Sequence, residues 1–174
     1  MNLNEIKHIE NIPGLSEGTA LNMLEAAVVC LCRQQHNSGV PLSVTGIHNY
    51  NEIMEWDTLF TNTLDRAYAD QEVATELGAV CISILTALLL TPYTIIERSR
   101  KKTGFDYWLG DKNATIPFVH SARLEISGIF NNPQGVQQRI RYKLQQTNQS
   151  DNLKIPAYIS VVEFSQPSIC FVLK

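Results

Sequence analysis

The sequence predicts an α/β domain, a central mixed sheet flanked by helices. The apolar rhythm switches from helical spacing to strict alternation after Thr91-Pro92. From Asp70 onward the segments then run helix, strand, strand, strand, helix, strand and one more strand. Size agrees: 174 residues, 44% of them hydrophobic, suit one domain with a substantial core. Residues 1–174 are therefore read as a single domain. Its core is 70–174, and 1–69 form an N-terminal helical and strand extension packed on that core.

Each element has a local reason. Ser16 precedes the amphipathic run LNMLEAAVVCLCRQQ, so a helix is expected over Glu17–Gln35, ended by Asn37-Ser38-Gly39. PLSVTG then reads as a short strand. Residues 48–57 are ambiguous, and 58–69 read as helix or turn. Asp70 is placed to cap DQEVATELGAVCISILTALLL, a long helix stopped by Thr91-Pro92. YTIIERS, GFDYWLG and SARLEISGIF follow as three strands joined by KKTG and DKNATIPF. Pro133 suits the first turn of a helix continued by VQQRIRYKLQQT. QSDN is a turn, and PAYISVVEFS and SICFVLK close the chain as strands.

Composition and missing motifs exclude several function classes. Net charge is −3, so the molecule is not a general polyanion binder, and any nucleic-acid contact needs a local basic patch. Cys30, Cys32, Cys81 and Cys170 lie in helical or apolar stretches and read as free thiols in a reducing cytosol. His8, His36, His48 and His120 show no ligand spacing. No phosphate-binding glycine loop and no Gly-x-Ser-x-Gly elbow occurs. The N-terminus lacks a basic start followed by an apolar run, so no leader is expected. Leu77–Leu90, interrupted by Ser83 and Thr86, reads as a core helix too short to span a membrane. A cytoplasmic protein is expected.

The chemistry converges on two strands. Side chains alternate across a strand, so Arg123, Glu125 and Ser127 share one face while Leu124 and Ile126 share the other. In GFDYWLG, Asp106 and Trp108 share a face. On neighbouring strands, Asp106 and Glu125 come to the same side. Two carboxylates so placed suit Mg²⁺ (or Mn²⁺), which takes oxygen ligands and uses one or two carboxylates with water and phosphate. Glu72 and Glu76 stack on one face of the preceding helix, and Glu76 is the candidate third ligand. Gly78 and Ala79 would let that helix approach the sheet closely.

With these elements in order, and with ATE at 74–76, GFDYWLG at 104–110 and RLEIS at 123–127, the stretch from about Asp70 to Phe164 resembles the PD-(D/E)XK, or restriction-endonuclease-like, nuclease fold. The resemblance implies an α-β-β-β-α-β core, Asp106 and Glu125 as metal ligands, and hydrolysis of DNA phosphodiesters. The family's motif lysine lies two residues beyond the Glu; here that slot holds Ser127. Some members carry the lysine on the next helix, where Lys143 is the stand-in. Gln138 and Tyr142 resemble a QxxxY pattern found in part of the family.

Arg98, Arg100, Lys101 and Lys102, then Arg139, Arg141 and Lys143, form two basic clusters suited to a phosphate backbone, with Arg123 nearby and Trp108 available to stack on a base. Each feature also has a plainer reading. Asp106 and Glu125 can be polar residues of a half-solvated sheet. Arg123 beside Glu125 can be a structural ion pair. Glu72 and Glu76 suit a helix start. Gln138 and Tyr142 fit a solvated helix face, and Arg98–Lys102 a charged loop. Ser127 motivates an alternative class, a non-catalytic module binding protein or nucleic acid. The apolar last strand, placed at a sheet edge, would invite pairing of two copies into a homodimer.

Overall fold

The computed structural model describes residues 1–8, 10, 12–114 and 118–174; part of the 111–118 connection lies outside them. Helix α1 spans Glu17–Arg33, and the Ser16 hydroxyl accepts from the Thr19 amide at its start. Strands β1 (Val40–Gly46) and β2 (Tyr50–Met54) pair antiparallel, which settles 48–57 as mostly strand. A short α2 (Asn62–Ala67) precedes α3, Gln71–Leu90. Asp70 caps α3 by accepting from the amides of Glu72 and Val73.

Three strands follow: β3 (Tyr93–Arg98), β4 (Tyr107–Asp111) and β5 (Ala122–Ile129). A 3₁₀ turn at Pro133–Gly135 leads into α4 (Val136–Gln146), and a further 3₁₀ segment covers Thr147–Leu153. Strands β6 (Ala157–Glu163) and β7 (Ser168–Leu173) end the chain.

Among the described residues seven strands form one mixed sheet in the order β2-β1-β7-β6-β5-β4-β3. β5 runs parallel to β6, with α4 as the crossover between them, and β7 runs parallel to β1; the other neighbours are antiparallel. The N-terminal segment thus extends the sheet by two strands as well as adding a helical layer. The last strand is no edge. β7 is paired on both sides, to β6 and β1, so the edge argument for a homodimer falls. β2 and β3 are the edges.

Helices α1 and α3 cover one face of the sheet over a large apolar core that includes Leu24, Leu31, Ile82, Leu124, Ile126 and Phe171. α3 is 20 residues long and apolar enough to cross a membrane by length and composition, so length does not exclude a span; most of it is buried inside the fold. The close approach of α3 to the sheet is made on the strand side. A Cβ at Gly128 would meet the Thr75 carbonyl at 2.4 Å. Gly78 instead faces α1, where a Cβ would meet Ala27 Cα at 2.9 Å, because that side of α3 packs on its neighbouring helix. The opposite face of the sheet carries α4, the 3₁₀ segment after it, and a small cluster of Ile129, Ile140, Ile159, Val161 and Cys170.

Candidate functional site

The site lies where β4, β5, α3 and α4 meet. β5 alternates in earnest: Leu124 and Ile126 enter the α3 core, while Arg123, Glu125, Ser127 and Ile129 face α4 and the segment after it. β4 and β5 are in register at Tyr107↔Leu124 and Trp108↔Arg123. One further step carries Asp106, just ahead of β4, to Glu125. The Asp106 amide donates to the Leu124 carbonyl at 2.9 Å, and Asp106 Oδ2 accepts from the Ile126 amide at 2.8 Å. That last bond fixes the carboxylate against β5.

Glu125 is 1% exposed. Burial, then the charge of Asp106, push its carboxyl up to about 7; a hydrogen bond and the positive charge from Lys143 act against that shift. The Lys143 ammonium reaches from α4 and donates to Glu125 Oε1 at 2.5 Å and to Gln146 Oε1 at 3.2 Å. Gln146 Nε2 donates to the same Glu125 oxygen at 2.8 Å. Glu125 Oε2 is buried and has no hydrogen-bond partner. An orphaned carboxylate oxygen beside a second carboxylate is an arrangement a divalent cation satisfies, so this donor pair fits Mg²⁺ or Mn²⁺.

A cavity of about 850 Å³ lies beside this pair: Asp106 lines it with Glu76, Arg98, Gln138, Arg139 and Lys143 among others, while Glu125 is buried behind it. Glu76 stands at its wall, exposed on α3. Among the described residues, no three His, Cys, Asp or Glu side chains group to hold a metal. Glu76 is therefore not a third ligand in this arrangement; the site has two carboxylates. Gln138 and Tyr142 face the cavity rather than open solvent alone, and Tyr142 remains 63% exposed.

A second cavity of about 450 Å³ adjoins the first and shares Arg98, Asp106 and Tyr142 with it. Arg100, Lys101 and Lys102 line it. Gly104, at φ +83°, holds this basic loop against α4: a Cβ there would meet the Gln146 carbonyl at 2.7 Å. The basic loop and the acid pair are thus positioned by one helix end.

Other expected contacts do not assemble. Arg123 is 3% exposed. Its guanidinium donates to Ser150 Oγ at 2.6 Å and to the Ile155 carbonyl at 2.9 Å, and its charge partner is Asp151 at 3.6 Å rather than Glu125. The 3₁₀ segment after α4 covers it, so Arg123 locks that segment to the sheet and is out of reach of a ligand. Trp108 lies stacked on His120 at 3.9 Å with Phe105 edge-on at 4.6 Å, so its ring already has neighbours and lines neither cavity. Arg141 is exposed and lines neither cavity. The four cysteines are free, with burial raising Cys30 to about 11 and Cys81 further.

Two features escaped the sequence reading. Gln146 joins the Glu125 cluster, and its spacing from Tyr142 (i+4) and Lys143 (i+3) marks the same helix face. Arg139 Nη1 donates to Ser127 Oγ at 2.8 Å, a link between α4 and β5 that no local pattern announces. Fold and site together define an α/β protein with an acid pair, Glu125 buried and Asp106 half-buried, beside a cation-rimmed cavity. Compared with protein-family models, curated proteins and solved structures, the chain matches none.

Proposed function

We propose that the chain is a divalent-metal-dependent nuclease of the restriction-endonuclease-like class that hydrolyses DNA phosphodiesters. One observation carries the reading. Lys143, which lines the main cavity together with Asp106, Gln138 and Arg139, reaches from α4 to the buried Glu125. The order α3-β3-β4-β5-α4-β6 supports it, since it brings one acid at each of two adjacent strands under the helix that carries Lys143.

Asp106 and Glu125 would hold the ion. When bound, Mg²⁺ supplies Lewis-acid polarisation of a phosphate and lowers the pKa of a water. The chain's own residues do the rest. The Ile126 amide and Gln146 keep the two carboxylates aimed. Lys143 offsets their charge and holds Glu125 Oε1, leaving Oε2 without a hydrogen-bond partner. Gln138 offers an amide to the phosphate, and Arg98 with Arg100, Lys101 and Lys102 would track the flanking backbone. In the reaction one water adds across the ester. Its oxygen bonds to phosphorus, the bond from phosphorus to the leaving sugar oxygen breaks, one proton ends on that oxygen, and the other passes to the phosphate or solvent.

The test is cleavage of single- and double-stranded DNA with Mg²⁺ or Mn²⁺, comparing the natural sequence with Asp106→Ala. Asp106→Ala should lose at least about 100-fold in rate. Absence of metal binding by calorimetry in the natural protein defeats the proposal. The second reading, a non-catalytic binding module on the same framework, draws on Ser127 in the lysine slot. It predicts retained DNA or protein binding with no turnover in Mn²⁺.

A further inference from the structure

Three cations line the main cavity: Arg98, Arg139 and Lys143. They are not equivalent. Lys143 is committed to Glu125 and Gln146. Arg98 stands at the outlet shared with the second cavity, its guanidinium 6.0 Å from the Tyr107 ring centre. Arg139 has no acidic partner among the described residues; one of its N–H groups rests on the Ser127 hydroxyl at 2.8 Å. A neutral hydroxyl anchors the guanidinium without discharging it, whereas a carboxylate there would cancel its charge. A guanidinium has five N–H donors in a rigid fork, so four stay available to a second group.

The anchor is well placed. Ser127 is 9% exposed and follows Glu125 by two positions on the same strand face, a rise of roughly 7 Å. A phosphate seated beside the acid pair would lie within the span of that fork. We propose that Arg139, held by Ser127, grips the non-bridging oxygens of the phosphate under attack, and that Ser127 is its positioning residue. This rests on the nuclease reading and adds to it. The positive charge two positions beyond the acid is delivered from α4 through a hydroxyl, and residue 127 itself need not be charged. Arg suits the task because it binds two phosphate oxygens at once, and those bonds strengthen as charge builds on them in the transition state.

The experiment uses the full chain, a fluorescein-labelled oligonucleotide in single-stranded and duplex form, and Mn²⁺. Single-turnover cleavage is measured beside Mn²⁺ binding by calorimetry. Arg139→Gln should lower the rate constant at saturating DNA about 100-fold while Mn²⁺ affinity is unchanged. Arg139→Lys should fall between the two, since an ammonium offers a point contact. Ser127→Ala should reduce the rate constant with little change in KM, and Ser127→Thr, which keeps the hydroxyl, should restore it. Ser127→Lys in the Arg139→Gln background should recover most of the lost rate. Arg141→Gln, altering an exposed cation on the same helix outside both cavities, is the control and should behave as the natural protein. If Arg139→Gln cleaves like the natural protein, or if the folded double variant recovers nothing, this inference is overturned and the nuclease reading stands. If the natural protein binds Mn²⁺ yet cleaves neither DNA, the nuclease reading itself fails and takes the inference with it.

Discussion

The two faces of the sheet share the same strands and differ in what covers them. On the α1/α3 side, packing is continuous: Leu124 and Ile126 are buried among aliphatic side chains, and α3 touches β5 backbone to backbone at Gly128. On the α4 side the apolar cluster is small, and beyond it lie Arg123, Glu125 and Ser127, each held by a hydrogen bond from or to a polar group on the covering segment. One strand therefore carries a stability face and a chemistry face, separated by the width of a peptide. The first tolerates no added volume; the second tolerates no lost partner.

The largest break of this contrast is Gly128→Val. Its side chain has to enter the space of the Thr75 carbonyl, which is backbone and cannot yield cheaply. Loss of about 4 kcal/mol, or failure to fold, is expected from such overpacking. Urea unfolding checks it. Melting unchanged from the natural protein would mean that α3 does not sit so close to β5.

The next effect belongs to the other face and depends on pH. With chelator present, Glu125 titrates at about 7 when folded, against an ordinary value of 4.5. Between those limits the folded chain holds a proton that the unfolded chain has lost. Stability from this group is therefore full below about pH 4.5 and declines as pH rises through 7, by about 3 kcal/mol in all. Glu125→Gln should flatten that slope. Denaturant midpoints at pH 5, 6, 7 and 8 give the comparison; a natural protein whose slope over this window equals that of Glu125→Gln has Glu125 ionised throughout. Metal should bind more tightly as pH rises over the same interval, because it takes the deprotonated carboxylate.

These contrasts show what the sequence made legible. Helix α3 and its Asp70 cap, the three strands after it and the pairing of Asp106 with Glu125 follow from spacing and alternation, which are local properties. Lys143 followed only through a resemblance. Arg123 misled, because alternation places it beside Glu125 but cannot say that the segment after α4 folds back over it. The hydroxyl–guanidinium link between Ser127 and Arg139 depends on how α4 is rotated over the sheet, a tertiary quantity with no sequence period. The placement of β7 inside the sheet depends on β1 and β2 joining it, and their polar, short edge pattern hides that.

A smaller test concerns a polar contact within the stability face. Ser83 on α3 and Ser160 on β6 bond at 2.7 Å, both fully buried. Ser160→Ala leaves the Ser83 hydroxyl buried without this partner and should cost about 1–2 kcal/mol. Replacing both removes the mismatch, and the double variant should regain part of that loss. If the two single losses simply add, the serines do not bond in solution.

The smallest expected effect separates helix stability from chemistry. Asp70 accepts from two amides at the start of α3, and the first turns of α3, with Gln71, Glu72 and Glu76, form one wall of the main cavity. Asp70→Ala should cost about 1 kcal/mol, the ordinary worth of a cap. The acid pair, however, is carried by β4 and β5 and steadied from α4, on the far side of the sheet from α3. Loosening the cap should therefore lower the denaturant midpoint and leave the metal affinity where it was, measured by calorimetry at a temperature well below the transition. A drop in metal affinity equal to that of a carboxylate variant would mean that α3 holds the ion after all, and would return Glu76 to the ligand set from which the geometry removes it.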